Sequence, residues 1–229
     1  MTSVAMIGPH VAIGAAALLL YWRALLAVKG SARHRRAGRL YLLLLLPLLL
    51  TVLPITLAAA GTAGPARVAQ LCYLALVLAT AGWTAWRAVA DRDDVERFRG
   101  LMFRGLAWAM LASGLGLMTL GIFQAQVLTF GFAMIGVVYG GAMLGFLGRA
   151  AGPGWSREWH LNGICLLFAA THASFIGLVA RQLFPALAGE AMHDLTQLGT
   201  IAFAYCLRQW LGHRHGAGLP AGEMTAATR

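Results

Sequence analysis

His10, His172 and His193 are the side chains in this sequence best placed to do chemistry. Each falls within or at the edge of a long apolar run, where an ionisable group is costly and marks a function by default. No Asp, Glu or Lys lies deep in such a run. A retinal Schiff base, which needs a buried lysine, is therefore excluded, and so is a relay of buried carboxylates. Imidazoles offer two other chemistries. Two of them, from two helices at similar depth, hold haem b. Three or four ligands, often with a carboxylate, hold zinc, copper or iron. His10 with His172 or His193 suits haem b. His10, His172 and His193, with Asp194 or Glu190, suit a metal. The expected chemistry is then electron transfer, with the cofactor doing the reaction in a dry pocket. The plainer alternative is a neutral imidazole hydrogen-bonded between helices or seated among headgroups.

Two other function classes stand beside this one. His172 with Thr171, Ser174 and Gln197 could line the path of a small-solute transporter or channel. A non-catalytic assembly partner needs only the apolar spans. There is no HExxH, Walker loop, GxSxG or dinucleotide fingerprint. The last span reads "HDLTQLGTIAFAYCLRQW" and lacks the H-x3-H pair of seven-span zinc hydrolases.

The elements that must position these residues are membrane helices. Of the 229 residues, 59% are hydrophobic and 11% charged, against about 25% charged in soluble domains. The mean hydropathy is +0.71. A span needs about 20 apolar residues. Seven stretches qualify, at about 4–27, 40–60, 68–89, 104–122, 127–148, 160–182 and 194–212. The expected fold is an all-α membrane bundle of about seven helices, a single domain over residues 1–212. Residues 213–229, with His213 and His215, read as a short disordered tail. The opening MTSVAMIGPH has no basic segment ahead of its apolar run, so it reads as a retained first span.

The net charge is +10, but the basic residues fall in short segments between apolar runs. That pattern sets membrane topology and does not describe a nucleic-acid face. The first inner loop carries Lys29, Arg33, Arg35, Arg36 and Arg39 around His34. The segments after the third, fifth and seventh spans carry arginines too, offset in the third by Asp91, Asp93, Asp94 and Glu96, while the alternate segments are poor in Lys and Arg. The N-terminus is therefore expected outside and the C-terminus in the cytoplasm, in a bacterial inner membrane. Trp22, Trp86, Trp155, Trp159 and Trp210 fall near the inner ends, where aromatic belts lie. The 29–39 loop is read as an anchor that can also bind anionic headgroups, too far from His10 to share a metal with it. Cys72, Cys165 and Cys206 are widely spaced and read as small apolar residues.

In span five, Gly136 and Gly140, and Gly141 and Gly145, are spaced for close helix packing, within the chain or in an oligomer. On helix rise, His10, His172 and His193 are expected to converge in the outer half, with His34 and His160 at the inner face.

"GPHVAIGAAALLL" followed by "VKGSARHRRAGRLY" resembles the opening of an uncharacterised group of bacterial multipass membrane proteins. Its marks are the His-x-x-x-Gly of His10 and Gly14, and the KG…HRxxGRxY loop of Lys29, Gly30, His34, Arg35, Gly38, Arg39 and Tyr41. "EWHLNGICLLFAATHASFIG", with His160 and His172, is similar to its distal part. The third loop departs from the pattern: "VERFRGLMFRG" has no His or Trp. The resemblance implies an integral membrane location and no particular activity.

Overall fold

The computed structural model describes residues 4–61, 64–187 and 189–214. Eight α-helices follow in order: α1 Val4–Leu26, α2 Ala32–Ala60, α3 Gly64–Ala90, α4 Val95–Phe98, α5 Leu101–Phe123, α6 Val127–Leu147, α7 Trp155–Leu183 and α8 Glu190–Arg214. No strand occurs among the described residues. The chain is thus an all-α bundle, and α1, α2, α3, α5, α6 and α7 are each long and apolar enough to cross a membrane. Helix α8 has 25 residues, enough to span, but is more polar than the other six. It packs along α7. Many large apolar side chains are exposed on the outside, among them Leu19, Leu46, Leu50, Leu53 and Leu57, which only lipid solvates well.

Six of the seven expected spans are found as helices of that kind and the seventh as the more polar α8, with their ends moved. Helix α2 starts at Ala32, eight residues before the apolar run, so Arg33 to Arg39 form its first two turns. The turn itself is only residues 27–31, with Gly30 at φ 76°. Lys29 donates to the Leu25 carbonyl, His34 Nδ1 donates to Ala24 O at 2.9 Å, and Arg35 donates to the Gly30 carbonyl. The last carbonyls of a helix have no partner within it. The basic segment supplies those partners to α1 and so caps that helix. The split after Phe123 holds: residues 124–126 turn the chain back. Residues 215–229, most of the expected tail, lie outside the described residues, while His213 and Arg214 finish α8.

Helices α3 and α7 form the centre, each 44% buried over its most apolar window, against 17% for α2. They meet backbone to backbone at Gly163, where an added Cβ would lie 2.7 Å from Ala81 O. Helix α1 packs on α2, and α2 on α3. The α5–α6 hairpin is bound still more closely. A Cβ on Gly136 would meet Met110 O at 2.6 Å, and one on Gly140 would meet Leu111 N at 2.6 Å. Close approach of this kind is what small residues give membrane helices. Gly141 and Gly145 face outward, with nothing within 4 Å. Tyr73 of α3 locks this hairpin in place: its hydroxyl donates to Phe132 O at 2.8 Å and accepts from Gly136 N at 2.7 Å. A side chain thus takes both partners of one helical rung.

The inner end is closed by aromatic rings. Asp94 caps α4 by accepting from Arg97 N, and α4 delivers Phe98 into the cluster. Phe98 is fully buried among Trp83, Phe103, Phe146, Trp155 and Trp159. Trp159 is only 3% exposed, so it is a core residue and not part of an interfacial belt, whereas Trp22, Trp86 and Trp210 are exposed as expected. Asp91 is buried between Arg87 at 2.6 Å and Arg97 at 3.5 Å. Of the cysteines, Cys165 is buried, but Cys72 and Cys206 lie on the outside of the bundle.

Gly140→Val forces α5 and α6 apart and is expected to destabilise the detergent-purified protein by about 1–3 kcal/mol. Gly141→Val, with open space beside it, should leave thermal unfolding unchanged. Equal effects of the two substitutions would contradict this packing.

Candidate functional site

A cavity of about 240 Å³ lies among α1, α2, α3, α6, α7 and α8. Its walls are mainly apolar, from residues such as Leu48, Leu74 and Phe132. Its polar groups come from His10, Thr171, Ser174 and Gln197. Gly14, one turn from His10 on α1, lines the cavity as well.

His10 Nδ1 lies 2.8 Å from Thr51 Oγ1 of α2. The Thr51 hydroxyl donates its proton to Leu48 O at 2.6 Å, so its oxygen must accept from His10. The imidazole therefore carries its proton on Nδ1, and Nε2 remains an acceptor. Thr171 spends its proton on Leu167 O at 2.8 Å, and Gln197 donates its amide to Ala173 O at 3.1 Å. What remains for a guest is an apolar space with few polar atoms, at least one of them a hydrogen-bond acceptor.

The three histidines expected to converge do not share this cavity. His172 is buried, but on the opposite side of α7. At about 100° per residue, His172 lies about 200° round the helix from Ser174, which faces the cavity. Its side chain also leans toward the inner end, as helix side chains tilt toward the N-terminus. It stacks on Phe168 at 4.0 Å and meets the edges of Tyr21 and Trp22 at 5.1 and 5.8 Å. Tyr21 is eleven residues, about 16 Å, inward of His10 along α1. The axial pairing of His10 with His172 expected for haem b is not formed. His172 Nδ1 donates to Phe168 O at 3.1 Å, and its buried Nε2 has no partner among the described residues.

His193 stands one turn outward of Gln197 on α8, beside Gly177 of α7, and its buried Nδ1 also lacks a described partner. Asp194 neighbours it. Among the described residues, no group of three or more His, Cys, Asp or Glu side chains is arranged to hold a metal ion. The expected His10, His172, His193 and Asp194 set is therefore not assembled: His172 faces away from the cavity that His10 lines, and His193 and Asp194 are not among its lining residues.

At the inner face, His160 Nδ1 donates to Ala85 O of α3 at 2.8 Å, and His34 lies near enough to act on it electrostatically, as does Lys29. Partial burial pulls the Lys29 ammonium below the usual lysine range. Arg33, Arg35, Arg36 and Arg39 are exposed on the first turns of α2. Arg208 ties the inner end of α8 to α7 through Asn162 at 2.8 Å and Glu158 at 3.3 Å. Sequence reading missed Thr51 and Tyr73. Each is a lone polar residue in an apolar helix, a signal that names no partner.

The chain matches no family model, no curated protein and no solved structure.

The His10–Thr51 bond is testable by a double-mutant cycle. Thr51→Val should cost about 1 kcal/mol by leaving a half-buried donor unpaired. In the His10→Phe background the same change should cost markedly less. Additive losses would show that the two side chains do not interact.

Proposed function

We propose that this multipass membrane protein binds a small, largely apolar molecule in its outer-half cavity, as a small-solute transporter or carrier of the bacterial inner membrane. The observation that carries the reading is the cavity itself, with His10, Thr171, Ser174 and Gln197 as its polar groups. At about 240 Å³ it falls below the 300–1,000 Å³ typical of drug-sized sites, which suits a short chain or single ring. The His10 tautomer argues for a guest that donates a hydrogen bond to Nε2. The exposed Arg33, Arg36 and Arg39 are proposed to meet anionic headgroups at the inner face, with the N-terminus outside. The outward Gly141 and Gly145 are proposed as the contact in any oligomer. Kinship with the bacterial group that the first two spans resemble stays a proposal on those residues.

Linear alkanols of six to twelve carbons test the reading. Purified protein in zwitterionic nanodiscs should gain thermal stability with them, with an optimum chain length. Gly14→Val should abolish the gain, while Gly14→Ala should only shorten the optimum. The first added carbon on Gly14 meets just Leu48 Cδ1, at 3.8 Å, so neither variant is expected to unfold the chain. No chain-length optimum, or one that survives Gly14→Val, would reject the cavity as the binding site.

A second reading, haem b or a transition metal for electron transfer, is supported by His172 alone. Its Nδ1 is held by a main-chain carbonyl, which leaves Nε2 free to ligate. The detergent-purified protein should then show a Soret band or one bound metal per chain, lost in His172→Ala. A featureless spectrum with no stoichiometric metal would remove this reading.

A further inference from the structure

The outer side of a membrane protein is normally poor in Lys and Arg. In this sequence, read with its N-terminus outside, Arg67 and Arg181 are the two that fall there. Each stands one turn beyond a residue that lines the cavity. Arg67 lies one turn outward of the cavity residue Leu71 on α3, and Arg181 lies one turn outward of Leu178 on α7. His193 lies one turn outward of Gln197 on α8. Both arginines are close enough to His193 for their charge to act on its ring, together with Asp194.

Neither arginine forms an ion pair among the described residues. Arg67 donates to Gln70 Oε1 at 2.8 Å, and Arg181 Nε donates to Gly177 O at 3.3 Å. A guanidinium has five N–H donors, so most of theirs are uncommitted. The buried His193 Nδ1 has no partner either. Asp194 offers a negative charge nearby, yet it bonds neither arginine. Two cations without counter-ions and a half-buried imidazole therefore stand one turn beyond the lining of an apolar cavity.

We propose that this rim binds the anionic head, carboxylate or phosphate, of an amphipathic molecule whose alkyl or ring portion occupies the cavity. The inference rests on the cavity reading above and names its ligand class. Arg181 supplies a planar fork that matches either head, and Arg67 adds long-range attraction. His193 can donate to the head when protonated and accept from a protonated head when neutral. The apolar part of the guest sets the length, and the rim sets the charge.

The test compares decanoate, decyl phosphate, decanol and inorganic phosphate on the full chain in zwitterionic nanodiscs, read as thermal stabilisation and titrated to Kd. Decanoate or decyl phosphate is expected to bind roughly tenfold or more tightly than decanol, from one charge-assisted contact. Inorganic phosphate alone is expected to give no shift. Arg181→Gln should erase the preference for the anion and leave decanol affinity within about twofold, which also shows that the variant is folded. Arg67→Gln should weaken the preference less, and added salt should reduce it. Equal affinity for decanol and both anions, or an anion preference unchanged by both substitutions, overturns the rim while leaving the cavity standing. Tight binding of inorganic phosphate alone overturns the amphipathic ligand. Loss of every alkyl probe, neutral and charged, means that the cavity reading has failed, and the rim proposal with it.

Discussion

The bundle depends on where its histidines send one proton. Hydrocarbon offers no water, so each polar group must find its partner inside the protein. His34, His160 and His172 each donate Nδ1–H to a main-chain carbonyl, and His10 donates to a hydroxyl. Three of these bonds cross between helices: His10 joins α1 to α2, His34 joins α2 to α1, and His160 joins α7 to α3. Side chains usually treated as candidate ligands are thus first of all fasteners. The same bonds fix the tautomer, so Nε2 is the free atom in every case. Whether a histidine here can do anything further is decided by what Nε2 faces. For His10 it is set beside a cavity, and for His172 it is surrounded by aromatic rings.

Glycine decides the spacing that those bonds require. At Gly163 the backbones of α3 and α7 come so close that a Cβ would overlap Ala81 O, and His160 lies three residues earlier on the same helix. The close crossing is what lets its imidazole reach Ala85 O. On the other side, Gly114, Gly136 and Gly140 bring α5 and α6 into one unit that Tyr73 holds against α3. Helix α1 has no such crossing with α7. It leans on α2 instead, and the space left between α1, α2 and α7 is the cavity.

The helices were legible because lipid demands long apolar runs. The start of α2 was not legible. Arg33 to Arg39 read as a loop by hydropathy, yet arginine is a good helix former and the turn needs only the residues around Gly30. The convergence of His10, His172 and His193 was argued from rise alone, which gives depth but not phase. Two residues along a helix reverse the face, and His172 and Ser174 differ by that step. Seven spans were expected from apolar runs, and the seventh is the one whose composition falls short of the other six.

That shortfall belongs to the architecture. Helix α2, the least buried of the spans, is apolar through most of its length after Arg39, with Thr51 and Thr56 as its polar residues there. Helix α8 has a partner on one side and turns Gln197 and Thr200 inward, both about 6% exposed, at the level of the cavity. Thr200 returns its proton to Thr196 O at 2.6 Å, and Gln197 bonds across to α7. Each polar residue placed inside lowers the mean hydropathy of its helix and leaves the outer surface unchanged, with Leu195 and Phe203 exposed on the far side. The lower hydropathy of α8 therefore goes in part with the polar groups that it turns inward. The helix forms part of the wall where Gln197 faces the guest space and His193 stands above it.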